Sequence, residues 1–190
     1  MIRRAPVLWL AGLALVWLAA PAAAQELQVT PLIREGQVFV SFTMSGAFDN
    51  DVWAAIRSGL PTTFFFDVEI RRGRSLWFDR TVVSSTVSAT VRYDNLTRRY
   101  QVTRMIDGRV ESTPQVTESP DTVRTLMTGF DKLALFSTAD LEPNAEHYLQ
   151  VRARTSPRNS WFIWPWGRHK ASGRATFTFL PEAGPPGSGR

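Results

Sequence analysis

Residues 47–70, AFDNDVWAAIRSGLPTTFFFDVEI, contain the start and end signals of a short helix, followed by a strongly β-forming run. Asp49 can cap the helix by accepting hydrogen bonds from the free N–H groups of its first turn. Phe48 and Trp53 have the spacing of a hydrophobic staple across that start. These signals predict a helix that begins at about residue 50.

The same stretch also predicts where the helix ends. Gly59 can adopt the left-handed conformation that terminates many helices, and Leu60 is then expected to fold back on the last turn. Pro61 cannot continue a helix because it lacks an N–H group. We therefore expect the helix to end just before Gly59.

From residue 62 onward the side chains alternate with a period of two. Apolar side chains share one face and more polar ones share the other, which is typical of a strand that covers a core on one side. The apolar face comprises Phe64, Phe66, Val68 and Ile70, and the other face comprises Phe65, Asp67 and Glu69.

The rest of the chain consists of similar short segments joined by tight turns. Glu35-Gly36 and Asp107-Gly108 are hairpin signals, and Ser119-Pro120 can begin a second helix that ends near Gly129. Residues 133–136 are expected to form a loop. Further strands are expected over 27–33, 38–44, 76–93 (with a bulge near 83–85), 100–106, 109–116, 147–154 and 174–180. This pattern predicts an all-β fold, an antiparallel β-sandwich or flattened barrel of about eight strands with two short inserted helices.

The two ends of the chain differ in composition from the rest. Residues 1–24 have a basic start, an apolar run and three alanines, which predicts a secretory signal peptide with Gln25 as the first mature residue. The alternative is an uncleaved membrane anchor. Residues 25–180 are expected to form a single β-sandwich domain, and the Pro/Gly-rich tail over 181–190 is expected to be disordered.

The composition bears on nucleic-acid binding and on disulfide stabilisation. The formal net charge is +5, and two of the positive charges belong to Arg3 and Arg4 of the predicted signal. Such a small excess does not indicate nucleic-acid binding. The chain has no cysteine, so an exported form must be stabilised by its apolar core without disulfides.

Several motifs resemble the domain of unknown function 4390 (DUF4390) family of exported bacterial proteins. They are SGLPTTFFFDVEI over 58–70, WFD over 77–79 and VRYDNLTRRYQVTR over 91–104. The resemblance covers most of the chain after the signal, although residues 156–172 depart from the family pattern. It implies an exported all-β domain and supplies no catalytic residues. The family's association with signalling histidine kinases suggests a membrane-bound kinase as one partner hypothesis.

Candidate catalytic groups are few. His147 and His169 are the only histidines, and neither H-x-H nor H-E-x-x-H occurs around them. Asp49-Asn50-Asp51 lacks the glycine and terminal glutamate of a calcium loop, so helix capping explains it better. We therefore expect no catalytic residue, no metal site and no cofactor.

An aromatic loop, WFIWPW over 161–166, is the first of two candidate interaction surfaces. Large aromatic side chains beside cations suit a protein contact or the surface of a membrane. The alternative is that this loop covers one end of the sandwich and plugs its core. We expect Trp161 and Phe162 to pack on the core, with Trp164 and Trp166 nearer solvent. The interface set is Trp161, Phe162, Trp164, Trp166 and Arg168.

Arginines on the predicted hairpins form the second candidate surface. Paired hairpins can gather guanidinium groups onto one sheet face, where they would bind phosphate or carboxylate groups. The alternative is that these arginines are solvated groups that protect strand edges from aggregation. The candidate anion face comprises Arg71, Arg98, Arg104, Arg152 and Arg154.

These patterns favour a non-enzymatic, exported accessory protein that acts through protein contacts in the periplasm or envelope. An envelope protein is the expected partner, with peripheral membrane contact as an addition. The alternative is an envelope binder of an anionic lipid or glycan, and a hydrolase is a third hypothesis. A filled core would favour the first, an apolar cavity with an arginine mouth the second, and converging His, Asp or Glu side chains the third.

Overall fold

The computed structural model describes residues 26–72, 80–157 and 170–178. These residues contain ten strands, two helices and one 3₁₀ turn, Thr138–Asp140. The helices are α1 (Asn50–Arg57) and α2 (Pro120–Thr128). The strands are β1 (Leu27–Arg34), β2 (Gln37–Met44), β3 (Thr62–Arg72), β4 (Arg80–Asp94), β5 (Arg99–Ile106), β6 (Arg109–Val110), β7 (Gln115–Thr117), β8 (Gly129–Ser137), β9 (Glu146–Pro157) and β10 (Lys170–Thr178).

The strands form two antiparallel sheets, which confirms the predicted all-β fold. The small sheet has the order β1-β2-β8, and the large sheet has the order β10-β9-β3-β4-β5-β6, with β7 also paired to β5. Aromatic side chains join the two sheets: the Phe42 ring of β2 lies 5.0 Å from Phe66 of β3 and 4.7 Å from Phe130 of β8. The open sheets and this apolar layer between them are consistent with a β-sandwich.

Helix α1 begins and ends where the sequence predicts. Asp49 accepts a hydrogen bond from the Val52 backbone N–H at 2.8 Å, and the rings of Phe48 and Trp53 lie 5.0 Å apart. Gly59 has a φ of +84°, which confirms the left-handed end. Leu60 does not fold back on the helix, since 54% of its surface is exposed.

Strands β3 and β4 confirm the predicted alternation. The apolar inward residues of β3, from Phe64 to Ile70, are at most 1% exposed, and Val87, Ala89 and Val91 of β4 are fully buried. The register between the two strands shifts after Ile70, where one extra residue of β4 lies between the paired positions 81 and 83. The predicted bulge is therefore present, one residue before its expected place.

Strand β8 corrects the prediction of a loop over 133–136. It pairs with β2, and its buried residues Phe130, Leu133 and Phe136 are spaced by three instead of two. Two register shifts against β2 explain this spacing, because each adds one unpaired residue to β8. Lys132, which lies at the shift between Phe130 and Leu133, has a φ of +49°.

The predicted strand over 109–116 is also wrong in detail. The Asp107-Gly108 turn is confirmed by φ values of +48° and +79°, but the following segment forms two separate strands, β6 and β7. Pro114 lies between them and cannot donate to a ladder. Val110 lies opposite Met105, and Gln115 lies opposite Val102. The segment advances five positions while β5 advances three, so two extra residues bulge out of the pairing.

The second helix and the last strand complete the sheets. Ser119 accepts from the Thr122 N–H and Pro120 occupies the first turn of α2, as predicted, but Gly129 has an extended backbone and leads directly into β8. Strand β10 begins at Lys170, four residues before its expected start. No helix among the described residues is long and apolar enough to cross a membrane. The predicted signal peptide and the predicted tail lie outside the described residues.

Candidate interaction face

Three neighbouring strands place arginines and aromatic rings on the outer face of the large sheet. Residues that pair across an antiparallel ladder share a face, and in β3 and β9 the odd and even positions respectively point outward. Strand β10 continues this face because its Arg174 pairs with Gln150. We define the arginine face as Phe65, Asp67, Glu69, Arg71, Tyr148, Gln150, Arg152, Arg154 and Arg174.

Two arginines of this face form ion pairs with carboxylates that lie diagonally across the β3–β9 ladder. Arg154 donates from Nε and Nη2 to the two carboxylate oxygens of Asp67, at 2.8 and 3.0 Å. Arg152 donates from Nη1 to Glu69 at 3.2 Å and from Nη2 to Gln150 at 2.9 Å. The hydrogen bond with Asp67 raises the pKa of Arg154. The side chains of Arg152 and Arg154 are 46% and 55% exposed, so each ion pair contributes little stability and mainly fixes the orientation of its guanidinium.

Aromatic rings support the guanidinium groups from below. The Cζ atoms of Arg174 and Arg71 lie 4.0 and 5.9 Å from the centre of the Tyr148 ring, and Arg154 Cζ lies 5.0 Å from that of Phe65. Tyr148 is consequently only 7% exposed. A guanidinium that lies over the face of a ring is held in one orientation. The arginine face therefore contains oriented guanidinium groups that lie over aromatic rings.

Two members of the predicted anion face lie elsewhere. Arg98 belongs to the exposed β4–β5 turn, with a φ of +55°. Arg104 pairs with the buried Ala89 and points to the inner side of the sheet. It donates to the Leu126 and Gly129 carbonyls at 2.7 to 2.9 Å and packs on the Phe130 ring. Burial lowers the pKa of Arg104. It stabilises the end of α2 and cannot join an outer anion site.

The arginine face is thus smaller and less cationic than the predicted one. Arg71, Arg152 and Arg154 are brought together as expected, and Arg174 joins them. Nothing in the sequence around Arg174 indicates this position, because only the strand order places β10 beside β9. Two carboxylates, those of Asp67 and Glu69, oppose the four guanidinium groups, so a positive excess remains.

The other candidate residues divide between the interior and the part of the chain that is not described. His147 is fully buried on the inner side of the large sheet. His169 and the aromatic loop, with Trp161, Phe162, Trp164, Trp166 and Arg168, lie outside the described residues, so their division between core and solvent stays a prediction. The described residues include no group of three or more His, Cys, Asp or Glu side chains that could hold a metal ion.

Comparison with known proteins gives one match. A family model described as domain of unknown function (DUF4390) matches residues 19–159, which is more than half of the 190-residue chain. No curated protein and no solved structure matches the chain. The matched region contains both helices and the strands β1 to β9, including all of the arginine face except Arg174. The chain therefore belongs to the DUF4390 family.

Proposed function

We propose that this protein is an exported, non-enzymatic accessory protein of the bacterial envelope that binds a partner protein through the arginine face. The observation that carries the proposal is the stacking of Arg71, Arg174 and Arg154 on Tyr148 and Phe65. Arginine and tyrosine are the residues that most often dominate binding energy at interfaces. Guanidinium groups that are already held in place lose little side-chain entropy when a partner binds.

The charges on this face indicate the chemistry of the partner. Four guanidinium groups against the carboxylates of Asp67 and Glu69 leave a positive excess, which favours an acidic surface on an envelope protein. The predicted signal over 1–24 supports location in the periplasm or envelope, and the predicted aromatic loop would add a peripheral membrane contact. The family association with histidine kinases makes the periplasmic part of such a kinase one candidate partner.

The interior of the sandwich supports this function over a ligand held between the sheets. The Phe42, Phe66 and Phe130 rings lie 4.7 to 5.3 Å from one another and occupy the space between the two sheets. A lipid or glycan carrier of this fold would need an apolar cavity at that place.

Site-specific crosslinking in intact cells tests the proposal. A photo-crosslinking amino acid at Ser172, exposed beside the arginine face, should capture an envelope protein. The same amino acid at Thr30, exposed on the small sheet, should capture far less of it. Replacing both Arg152 and Arg154 by Gln should reduce the capture at Ser172, whereas the control pair Arg34→Gln and Arg109→Gln removes the same charge and should leave it unchanged.

Two outcomes would count against the proposal. Equal capture from Ser172 and Thr30 would mean that the arginine face has no special role, and capture that is insensitive to the two arginines would mean the same. Location is checked separately, by fractionation and N-terminal sequencing. We expect an envelope fraction in which the chain begins at Gln25, and a cytoplasmic chain that retains Met1 would refute export.

A further inference from the structure

The outer face of the large sheet continues past the arginine face onto β4, β5, β6 and β7. One row of register partners crosses five strands of this face, and its members, from β9 to β6, are Arg154, Phe65, Ser88, Met105 and Val110. Directly opposed side chains lie about 5 Å apart, so this row forms one surface across the sheet. Val116 of β7 lies on the same face, because it pairs with Gln101, which has the same parity in β5 as Met105.

The chemistry of this face changes between β3 and β4. Arg92 is the only charged residue among the outward positions within 84–92 and 101–105. Two hydroxyls are already paired: Thr86 Oγ1 donates to Asp67 at 3.3 Å, and the Oγ1 atoms of Thr90 and Thr63 lie 2.9 Å apart. The uncharged polar residues at these positions are Ser84, Thr86, Ser88, Thr90, Gln101 and Thr103. We define the neutral half as these six residues together with Met105, Val110 and Val116.

Exposed apolar side chains lie at the margin of the neutral half. Val110 and Val116 are 58% and 59% exposed, and they are two of the five large apolar residues that are exposed in the described part of the chain. Met105, the register partner of Val110, is partly exposed. A single exposed valine is ordinary, but here the apolar side chains share one face with oriented arginines and aromatic rings. Aromatic, methionine and arginine residues are the types that are enriched at protein interfaces.

We propose that the partner protein covers both halves of this face, with an acidic patch against the arginine face and an apolar patch against Met105, Val110 and Val116. This inference rests on the proposed function, because it concerns the same partner, and it adds the apolar contact and the polarity of the partner's surface. Charge complementarity supports this orientation. Four guanidinium groups oppose two carboxylates on the arginine face, whereas the neutral half carries no charge.

The area of the face agrees with a footprint of this extent. The arginine face occupies three strands, about 14 Å across, and about 20 Å along each strand, so it presents roughly 280 Å². The six strands from β10 to β6 present roughly 580 Å². The smallest specific interfaces bury about 600 Å² on each partner. The arginine face alone is therefore about half of the required size, and the neutral half supplies the remainder.

A second copy of this chain would be a poorer occupant than a different protein. A two-fold axis would bring the same face of both copies together, so that guanidinium groups meet either guanidinium groups or the neutral half. Neither arrangement offers carboxylates beyond Asp67 and Glu69, which already pair with Arg154 and Arg152. The arginines would lose water without gaining an opposite charge. The occupant is therefore a protein that has carboxylates beside apolar side chains.

Photo-crosslinking of the intact chain in cells tests the inference, with the photoreactive amino acid placed at Ser172 in one experiment and at Gln101 in another. Gln101 is exposed and lies opposite Val116, at the far side of the face from Ser172. We expect both positions to capture the same envelope protein and Thr30, on the small sheet, to capture far less of it. Mass spectrometry of the crosslinked peptides should place Asp or Glu residues of the partner at Ser172 and apolar residues at Gln101.

A double variant, Val110→Thr with Val116→Thr, tests the apolar contact. Threonine keeps the β-branched shape of valine, so the chain should remain folded, and a thermal melt checks this. Binding to the purified protein that was captured at Ser172 should weaken about tenfold, the scale expected for the loss of two buried methyl groups. Leu32→Thr is the matched control, because it changes an exposed apolar residue of the small sheet, and it should leave binding unchanged.

The outcomes distinguish this inference from the proposed function. Capture at Ser172 without capture at Gln101 would refute the inference and leave the proposed function intact, and so would unchanged binding by the double variant. Capture of a second copy of this chain at Gln101, or apolar peptides at Ser172 with acidic ones at Gln101, would also refute it. Capture at neither position would refute the inference and the proposed function together.

Discussion

A β-carbon built on Gly173 would stand 2.3 Å from the backbone oxygen of Leu27 and 2.7 Å from Val29 Cγ2. The last strand of the large sheet therefore passes the first strand of the small sheet with almost no room between the two backbones. This approach joins the edges of the two sheets at one side of the sandwich. Glycine is needed at this position because it has no side chain, and not because of a positive φ.

Gly173→Ala should therefore destabilise the protein by about 1 to 3 kcal/mol, the usual range for overpacking. Strand propensity alone predicts that alanine would stabilise the protein relative to glycine by about 0.5 to 1 kcal/mol. The clash should dominate because a backbone oxygen cannot move away as a flexible side chain can. Chemical denaturation measures the difference, and Ser172→Ala at the exposed neighbouring position should have little effect. A more stable Gly173→Ala variant would show that the two strands separate freely.

Arg104 makes a second prediction about stability. Its guanidinium bonds to the carbonyls of Leu126 and Gly129 and lies 4.5 Å from the Phe130 ring centre. Arg104→Met keeps much of the packing but leaves these carbonyls without their donor, so we expect a loss of about 2 to 3 kcal/mol. Arg104→Lys should recover only part of it, because an ammonium lacks the planar fork. Arg92→Met, at an exposed site, is the control for the denaturation experiment, and equal losses in both variants would contradict this role.

The elements that the sequence predicts well are those whose signals are local. Asp49, Gly59 and Pro61 set the limits of α1 by capping and backbone chemistry alone, and the hairpins follow from two-residue turns. Strand β8 could not be found in this way. Its two bulges convert the expected period of two into a spacing of three at Phe130, Leu133 and Phe136, which does not resemble a strand.

The composition of the arginine face is also only partly predictable, because it depends on the order of the strands in the sheet. Residue parity along β9 predicts that Arg152 and Arg154 share a face, but nothing local indicates that Arg174 lies beside them. The same parity in β5 places Arg104 with the buried Val102, so its inward direction was available from the sequence. What the sequence could not show is why an arginine is tolerated there, since the carbonyls come from the end of α2 and the start of β8, more than 20 residues away.

Asp94 predicts a pH dependence of stability. Its carboxylate accepts from the backbone N–H groups of Leu96 and Thr97, at 2.8 and 3.2 Å, and these bonds lower the pKa of Asp94. A pKa that is lower in the folded state contributes stability above the unfolded value of about 4, and that contribution is lost as the pH falls through the folded pKa. Asp94→Asn keeps an acceptor oxygen but cannot titrate.

Thermal melts of the Asp94→Asn variant should therefore show a smaller loss of melting temperature than the natural chain between about pH 5 and pH 2.5. Glu26→Gln removes one exposed acidic group outside this turn and serves as the control. Parallel curves for the natural chain and Asp94→Asn would mean that the turn does not couple to acid stability.

Gly59 combines a strained backbone with a close neighbour. Its φ is +84°, and an added β-carbon would lie 3.1 Å from Asn95 Nδ2. We expect Gly59→Ala to cost about 1 kcal/mol, mainly from the left-handed backbone. Repeating the substitution in an Asn95→Ala background separates the two causes, because the neighbour is then absent. If the cost disappears in that background, the contact and not the backbone is responsible.

The β1–β2 turn offers a substitution that should stabilise the chain. Glu35 and Gly36 have φ values of +51° and +76°, the left-handed pair of a type I′ turn, in which asparagine is preferred at the first position. Glu35 also forms an ion pair with Arg34 at 2.9 Å, but the two side chains are 75% and 70% exposed. A pair so exposed contributes between about 0 and 1 kcal/mol, with values near the lower end common for neighbours in solvent. Glu35→Asn should therefore raise the free energy of unfolding by about 0.5 kcal/mol net, since asparagine tolerates the left-handed region better.

Glu35→Gln is the matched control, because it removes the charge and keeps the unfavourable backbone preference, and it should be neutral or slightly destabilising. Denaturation midpoints that fall equally in both variants would show that the ion pair outweighs the backbone term.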